Sequence, residues 1–514
     1  MLGFANYDRM KEKILSLENL ATRIADAKAA GQTVAHCHGC FDLMHLGHIK
    51  HFEAAREAAD LLVVTLTPDR FVNKGPGRPV FTEQMRLETI AALEVADYVA
   101  LNRWPTAIEL LKLIQPTFYV KGQEYRDFAE DLTGNIAKEV AAVRSVGGDI
   151  YFTDEVVFSS SKLINENFSP LNEEAQQYVQ AFKEQFSADD AIAAIERIED
   201  LRILVIGDTI IDEYHYVRPL GKSSKSPTLS TKFERAQNFA GGVLAIANHL
   251  NEFAGTTEMV SVLGREHDQM AVITPNLNDQ IRTRFFYRED GPTPTKRRYL
   301  SQFLNSKIFE VTFMNDQYLP LEVEDQIIQY LDTRLPELDV VLIADFGHGL
   351  ITPRIQQYLA EANVFVAVNA QTNSNNFGYN YITKYRGCDY ISIDENELRL
   401  PFGDRYGDLH VLVNKLADIT ACPRITITLG TEGALYYQDE TFYQVPALAT
   451  TVVDSVGAGD AVLSVSCLLA YQQCAPALMP YIGNCVGALA VQILGNQRPV
   501  TKVELTKMIS HMLK

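Results

Sequence analysis

The chain has 514 residues, too many for one ordinary core, and a prior of about 150 residues per domain divides it, most simply into two unequal α/β domains. Its 47% hydrophobic and 22% charged residues exclude extended disorder, and a formal charge of -19 argues against nucleic acid or anionic membrane as partners. Any phosphate site must therefore be locally cationic or lined by backbone amides. Met1 to Lys13 lacks an apolar leader, and no stretch approaches the length of about 18 apolar residues that spans a bilayer. Seven scattered cysteines read as reduced core residues. Together these features predict a soluble, cytoplasmic protein.

In chain order, Leu, Ile and Ala recur at helical spacing over Ile14 to Ala30, and a strand follows near Thr33 to Cys37. His36-Cys37-His38-Gly39-Cys40-Phe41-Asp42-Leu43-Met44-His45-Leu46-Gly47-His48 then reads as strand, tight glycine turn and helix start. A helix N-terminus offers unpaired amides and roughly half a positive charge, so phosphates settle there. His45 and His48, three apart, can face one bound phosphate. Cys37 and Cys40 have the spacing of half a zinc site, but no second cysteine pair follows where a zinc ribbon requires one.

Gly39-x-Phe41-Asp42-x-x-His45-x-Gly47-His48 after a strand resembles the signature of the nucleotidyltransferase superfamily that includes the cytidylyltransferases and heptose-phosphate adenylyltransferases. Next come the apolar run Leu61 to Leu66, which suits a buried parallel strand, a turn-rich loop with Lys74, and a helix opening Glu83-Gln84-Met85-Arg86. Val120-Lys121-Gly122 closes a later strand, and Ser159-Ser160-Ser161 stands at a helix start. In this order the segments are similar to the heptose-phosphate adenylyltransferases over residues 14 to about 168. The resemblance implies a Rossmann-like domain over 1–168 in which His45 and His48 hold a triphosphate, with Gly39, Phe41 and Asp42 around the nucleotide. It also implies that Lys74, Arg86 and Lys121 neutralise charge and that Ser159, Ser160 and Ser161 cap phosphates. A sugar phosphate would attack the α-phosphorus directly, with Mg²⁺, and with ATP or CTP as donor.

Residues 169–200 read as a helical linker rich in Glu, Gln and Ala. Arg202 to Gly207 then begins a new core strand ending at Asp208, with Asp212 four positions on, and acidic groups at a strand end suit sugar hydroxyls. Near the C-terminus, Asp454-Ser455-Val456-Gly457-Ala458-Gly459-Asp460 precedes an apolar helix. Gly457, Ala458 and Gly459 form a nest of amides for a γ-phosphate, and Asp460 beside it is a candidate general base.

That signature resembles the ribokinase-like sugar kinases, and the likeness spans about 201 to 505. Gly241-Gly242, Ala344-Asp345-Phe346-Gly347-His348-Gly349 and the Gly430 to Gly433 turn stand where that family has them, and Asp394 to Glu397 matches its Asn-x-x-Glu. The resemblance implies a three-layer αβα domain over 201–514, with a small β lid formed by Tyr214 to Glu234 and Arg282 to Phe313 through which two chains pair as a homodimer. It assigns Gly430 and Gly433 to nucleotide, Asp208, Asp212, Gly241, Gly242 and Lys296 to sugar, and Glu397 to Mg²⁺. Within the family, Gly207-Asp208-x-x-x-Asp212-x-Tyr214 and Pro294 to Arg298 look most like the heptose-phosphate kinases. Ala245, His348 and Val368-Asn369-Ala370-Gln371 depart from the family pattern. The expectation is a bifunctional enzyme of activated-sugar synthesis whose two domains stand in the opposite order to the bifunctional heptose enzymes. The alternative is a kinase-like domain kept for ligand binding, dimerisation or regulation.

Overall fold

A computed structural model describes residues 10–72, 78–123, 135–153, 171–223, 225–301 and 306–513. Lys74 and Ser159 to Ser161 lie outside the described residues. The chain forms two compact units, Met1–Pro170 with Thr506–Met512, and Leu171–Leu505.

Unit 1 is built on five strands, β1 (Val34–Gly39), β2 (Leu61–Leu66), β3 (Tyr98–Leu101), β4 (Phe118–Gly122) and β5 (Asp149–Thr153). They pair in parallel in the order β3-β2-β1-β4-β5. Alternate strand residues face opposite sides, so a strand covered on both sides reads as an unbroken apolar run. Val34 and Val63 pack on one side with Leu20 and Ile24 of the helix Leu17–Ala29 and Leu110 of Ile108–Ile114. On the other side Ala35, Cys37, Leu62 and Val64 meet Phe52 of the helix Leu46–Glu57 and Leu87 and Ile90 of Glu83–Ala91. Cys37 is thus fully buried core. Strand order reverses between β1 and β4, and ligands of doubly wound sheets bind outside the carboxyl ends at that point. The His45 turn follows β1, and Lys121 is the penultimate residue of β4.

In unit 2 a central sheet contains β6 (Arg202–Gly207), β9 (Thr256–Gly264), β10 (Arg282–Arg288), β13 (Val340–Asp345), β14 (Phe365–Ala370), β15 (Tyr390–Asp394), β16 (Arg424–Thr428), β17 (Ala434–Gln438) and β18 (Thr441–Val445). Its order is β10-β9-β6-β13-β14-β15-β16-β17-β18, parallel as far as β16 and antiparallel beyond. The second sheet, β12-β11-β7-β8, consists of β7 (Thr209–Lys222), β8 (Leu229–Gly242), β11 (Thr295–Ser301) and β12 (Lys307–Phe313). This corrects the expected lid. Arg282–Arg288 pairs with β9 in the central sheet, where Phe286 is buried in the core, and only the later part of the Arg282 to Phe313 segment belongs to the small sheet.

The stretch read as a connector forms the helices Glu173–Lys183 and Ala188–Glu196, and both belong to unit 2. Phe182 is 5% exposed and stacks on Tyr481 at 4.3 Å between ring centroids, which anchors the first of them. Burying such a ring contributes about 1.5–3 kcal/mol.

Candidate active sites

In unit 1, His45 is the N-cap of Leu46–Glu57, and its Nδ1 accepts the Gly47 amide at 3.1 Å. That bond leaves the ring proton on Nε2, a donor suited to a phosphate oxygen. Burial lowers the His45 pKa, so the ring is neutral at physiological pH. His48 stacks on it, with centroids 4.0 Å apart and planes 19° from parallel. The two imidazoles are brought together as the spacing predicts. Phe41, with φ of 48°, stands edge-on to His48 at 5.4 Å and to Phe52 at 5.0 Å, so its strained backbone fixes one wall of the turn. Gly39 lies under that ring, where a Cβ would sit 3.0 Å from it.

Lys121 is held by Glu139 Oε2 at 3.1 Å, which also accepts the Tyr119 hydroxyl at 2.9 Å. Its ammonium faces a polar layer beneath the turn that sequence reasoning missed. His36 Nε2 and His38 Nδ1 share the Thr65 hydroxyl at 2.7 and 2.8 Å, and His51 Nδ1 meets Thr153 Oγ1 at 2.9 Å. Burial first, then the Lys121 charge among others, pushes His38 and His51 down to about 4. His36 and His38 alternate with apolar residues along β1, and that period was the available signal.

Two of the expected site residues of unit 1, Arg86 and Asp42, are bonded within the protein. Arg86 is 1% exposed and its guanidinium is occupied internally: Nε donates to the Phe81 carbonyl, Nη1 to that of Cys40 and Nη2 to Thr67 O and Asp69 Oδ1. It ties together the loops after β1 and β2. Asp42, 4% exposed, accepts the amides of Val80 and Phe81 at 3.0 Å and pairs with Arg78 Nε at 2.8 Å, so it clamps a loop.

In unit 2, a cavity of about 840 Å³ gathers Asp212, Gly242, Lys296, Gly430, Gly433, Glu397 and Gly457 to Asp460. Gly457, at φ of 83°, caps the helix Ala458–Tyr471, and a side chain there would strike Asn496. Gly459 has open space where its Cβ would be, the close approach a phosphate cradle needs. Burial, and then the Asp212 charge, raise Asp460 to about 7, the poise of a general base at neutral pH.

The small sheet supplies the facing wall. Lys296 pairs in register with Asp212, and Arg298 with Tyr214 and Glu310, so alternate residues of three strands converge on the cavity. Arg298 pairs with Asp212 and, at 2.8 Å, with Glu310. A Cβ at Gly241 would overlap the Asp212 carboxylate, so that glycine makes room for the ion pair. Tyr214 donates to Asp454 Oδ2 at 3.1 Å, joining the small sheet to the Gly457 loop. Glu310 was missed, and Arg298 and Tyr214 were read only as parts of family motifs, although two-residue alternation in Lys296-Arg297-Arg298 places the first and last on one face.

Asp208, expected to meet sugar, is engaged by the backbone. Its carboxylate accepts the amides of Phe346, His348 and Leu350, each at 3.2 Å, and so shapes the turn after β13. Burial, then Asp345, raises it to about 7. The polar run after β14 braces the same turn: Asn373 and Asn376 donate to Phe346 O, and Asn380 to Asp345 O. Glu397 forms a capping box with Asp394, and its two oxygens accept the amides of Asp394 and Thr372, so direct ligation of Mg²⁺ is not its first role. Burial and the Asp394 charge raise it to about 8. Among the described residues no three His, Cys, Asp or Glu side chains form a metal-holding group. Asn369 Oδ1, on the cavity wall, is buried without a partner among the described residues. An orphaned carbonyl beside Asp394 and Glu397 fits a cation held mainly by nucleotide phosphates, the usual manner of Mg²⁺.

No helix among the described residues is long and apolar enough to cross a membrane. Comparison with known proteins matches residues 36–166 to the Cytidylyltransferase-like family and residues 200–502 to the pfkB family of carbohydrate kinases. The Bifunctional protein HldE of Methylobacillus flagellatus is 38% identical over 147 residues, 28% of this chain and 29% of that protein. HldE of Bradyrhizobium sp. is 40% identical over 151 residues, 29% of each. The alignments thus span under a third of these curated relatives. Among solved structures, phosphofructokinase-2 of Escherichia coli in complex with substrates and products aligns at 14% identity and a TM-score of 0.48, covering 61% of this chain and all of that one. Ribokinase of Arabidopsis thaliana with ribose and ATP aligns at 18% and 0.47, covering 61% and 99%.

Proposed function

The chain belongs to the pfkB family of carbohydrate kinases, and from that premise we propose a bifunctional enzyme of nucleotide-activated sugar synthesis. Unit 2 phosphorylates a sugar or sugar phosphate with ATP. Unit 1 transfers a nucleotidyl group, from ATP in preference to CTP, to a sugar 1-phosphate. The observation that carries this reading is Asp460, poised near neutrality in the first turn of a helix whose N-terminus lines the cavity, in a chain that also has the stacked His45 and His48. It also speaks against a purely regulatory kinase-like domain.

In unit 2 the acceptor hydroxyl gives its proton to Asp460 as its oxygen bonds to the γ-phosphorus, and the bond to the β-phosphate oxygen breaks to release ADP. The amides of Gly457 to Gly459 stabilise charge on the transferring phosphoryl group, while Lys296 and Asp212 orient the acceptor. Asp394, Glu397 and the Asn369 carbonyl would hold Mg²⁺, directly or through water, and the ion would neutralise phosphate charge. In unit 1 a phosphate oxygen of the sugar 1-phosphate attacks the α-phosphorus and pyrophosphate leaves. His45 and His48 donate to the triphosphate and Lys121 balances the growing charge, with no protein nucleophile. Lys74 and Ser159 to Ser161 complete this site in the proposal, Gly39 and Phe41 shape its wall, and Gly430 and Gly433 border nucleotide in the other.

The domain assignment 1–168, linker 169–200 and 201–514, a cytoplasmic location and a homodimer belong to the same reading. Supporting the dimer, the face of the small sheet away from the cavity exposes Phe233, Phe309 and Phe313 by 56%, 50% and 42%, an apolar cluster of the kind that marks an interaction surface. Assays of Asp460→Asn and His48→Ala with a panel of sugars and sugar phosphates test the proposal. The first must lose ADP formation alone, and the second pyrophosphate release alone. Either variant losing neither activity overturns its half.

A further inference from the structure

One side chain that lines the unit 2 cavity comes from the connector. Asn172 lies between the two segments matched to families, residues 36–166 and 200–502, and belongs to neither. It caps the helix Glu173–Lys183, where its Oδ1 accepts the Ala175 amide at 2.8 Å. That bond orients the carboxamide and leaves the two N–H groups of Nδ2, which have no partner among the described residues. The side chain is exposed at the cavity rim, so it presents an oriented pair of donors to a ligand there.

The packing of the capped helix decides which end of the cavity Asn172 meets. Phe182 stacks on Tyr481, and Tyr178 stands beside Cys485, whose charge adds to burial in raising the tyrosine pKa. Four residues back along one helix thus match four forward along Leu478–Ala490, so the two run antiparallel, and the same step brings Asn172 level with Val491. The other face of Leu478–Ala490 lines the cavity with Met479, Gly483 and Gly487, and Val491 extends this uncharged stripe at four-residue spacing. Val491 O accepts the amides of Val453 and Asp454 at 2.8 and 3.1 Å, and that segment leads into the Gly457 cradle. Asp212, Lys296, Arg298 and Glu310, by contrast, all reach the cavity from the small sheet. A nucleotide with its phosphates in the cradle therefore has its nucleoside along the uncharged stripe, an apolar slot that needs few polar groups to orient its ligand. Asn172 stands at the rim of that slot.

We infer that Asn172 reads the nucleoside in the unit 2 site, with Nδ2 donating to a ring nitrogen of the base or a hydroxyl oxygen of the ribose. This role rests on the kinase reading and adds to it a residue from outside the matched kinase segment. The connector is then a wall of the kinase site as well as a link between two units. Capping and reading use different atoms of one carboxamide, Oδ1 for the helix and Nδ2 for the ligand, so substitution can separate them.

The test uses the full chain and two variants that keep the cap: Asn172→Ser, too short to reach the ligand, and Asn172→Asp, which only accepts. One readout is KM for ATP, from ADP formation with Mg²⁺ and the best acceptor in a panel of sugars and sugar phosphates. The other is hydrogen exchange of the peptide spanning Gly457 to Asp460 at increasing ADP, which reports occupancy of the unit 2 site alone. Asn172→Ser should raise KM for ATP and the half-protecting ADP concentration about three- to tenfold, the scale of one hydrogen bond, and Asn172→Asp should raise both further. KM for the acceptor and pyrophosphate release by unit 1 should stay at wild-type values. With 2′-deoxy-ATP and 3′-deoxy-ATP, a variant effect that disappears assigns the contact to the ribose, and one that persists assigns it to the base. Values within twofold of wild type in both variants overturn the inference and leave Asn172 a helix cap, as does an equal rise in KM for the acceptor. A wild type that phosphorylates no acceptor while ADP protects the peptide fails the kinase reading alone, and the ADP shifts of the variants then decide the role of Asn172. A peptide that ADP never protects overturns the inference.

Discussion

Two helix N-termini carry the phosphate sites of the proposal, Leu46–Glu57 in unit 1 and Ala458–Tyr471 in unit 2, and they differ in the side chains beside the amides. The first has a capping imidazole, kept neutral by burial, with a second imidazole stacked on it. The second has glycines and a carboxylate raised to about 7. The amide cradle is common property of helix ends. What stands next to it decides whether a bound phosphate is steadied while another group attacks it or whether a hydroxyl is activated against it.

The comparison breaks most sharply at Asp460. Asp460→Asn should lower kcat for sugar phosphorylation by about 10²–10⁴ and leave pyrophosphate release intact, measured by separate ADP and pyrophosphate assays. A comparable loss in both assays would mean the variant damages the fold and not one reaction. His48→Ala should cost unit 1 about 10²–10³ in kcat/KM, the scale for removing one donor to a developing anion, with ADP formation untouched. Arg86→Met asks whether that residue belongs to the site or to the scaffold. Leaving the carbonyls of Cys40, Thr67 and Phe81 unpaired should destabilise unit 1 by about 3 kcal/mol or more in denaturant unfolding. Loss of activity with unchanged stability would return Arg86 to the phosphate.

Acidity supplies a milder contrast. Asp460 works as a base only when ionised, and its raised pKa means that ionisation is lost as pH falls through about 7. Kinase kcat/KM should therefore plateau above pH 8 and fall about tenfold per unit below pH 6. A flat profile from pH 5 to 8 would show an ordinary carboxylate. The smallest effect is expected at Tyr214→Phe, which removes one hydrogen bond between the small sheet and the Gly457 loop. A net bond of about 0.5–1.5 kcal/mol predicts a rise of roughly two- to tenfold in KM, read from initial rates at varied ATP and sugar.

The second strand of unit 1 was legible because it is buried on both faces and so writes a continuous apolar run. The expected strand Leu61 to Leu66 coincides with β2. The lid was legible only in part. Arg282–Arg288 carries the alternation of a half-exposed edge strand whichever sheet it joins, and its pairing with β9 settles the matter. The neutral His36 and His38 layer was hidden for a related reason: isolated histidines acquire meaning only from the Thr65 hydroxyl brought over by a neighbouring strand.

By itself the sequence determined the two domain types and placed the two helix starts proposed as anion cradles, because each is a contiguous turn and helix start whose geometry arises within a dozen or so residues. Tertiary structure alone decided which charged side chains are left for a ligand. Arg86 and Asp42, expected to meet phosphate and nucleotide, are bonded within the protein, whereas Arg298, noted only as the end of a family motif, lines the cavity with Asp212, 86 positions away. The reason is physical. A buried charge takes whichever partner the fold brings within hydrogen-bonding reach, and sequence spacing sets that reach only along a helix turn or a strand.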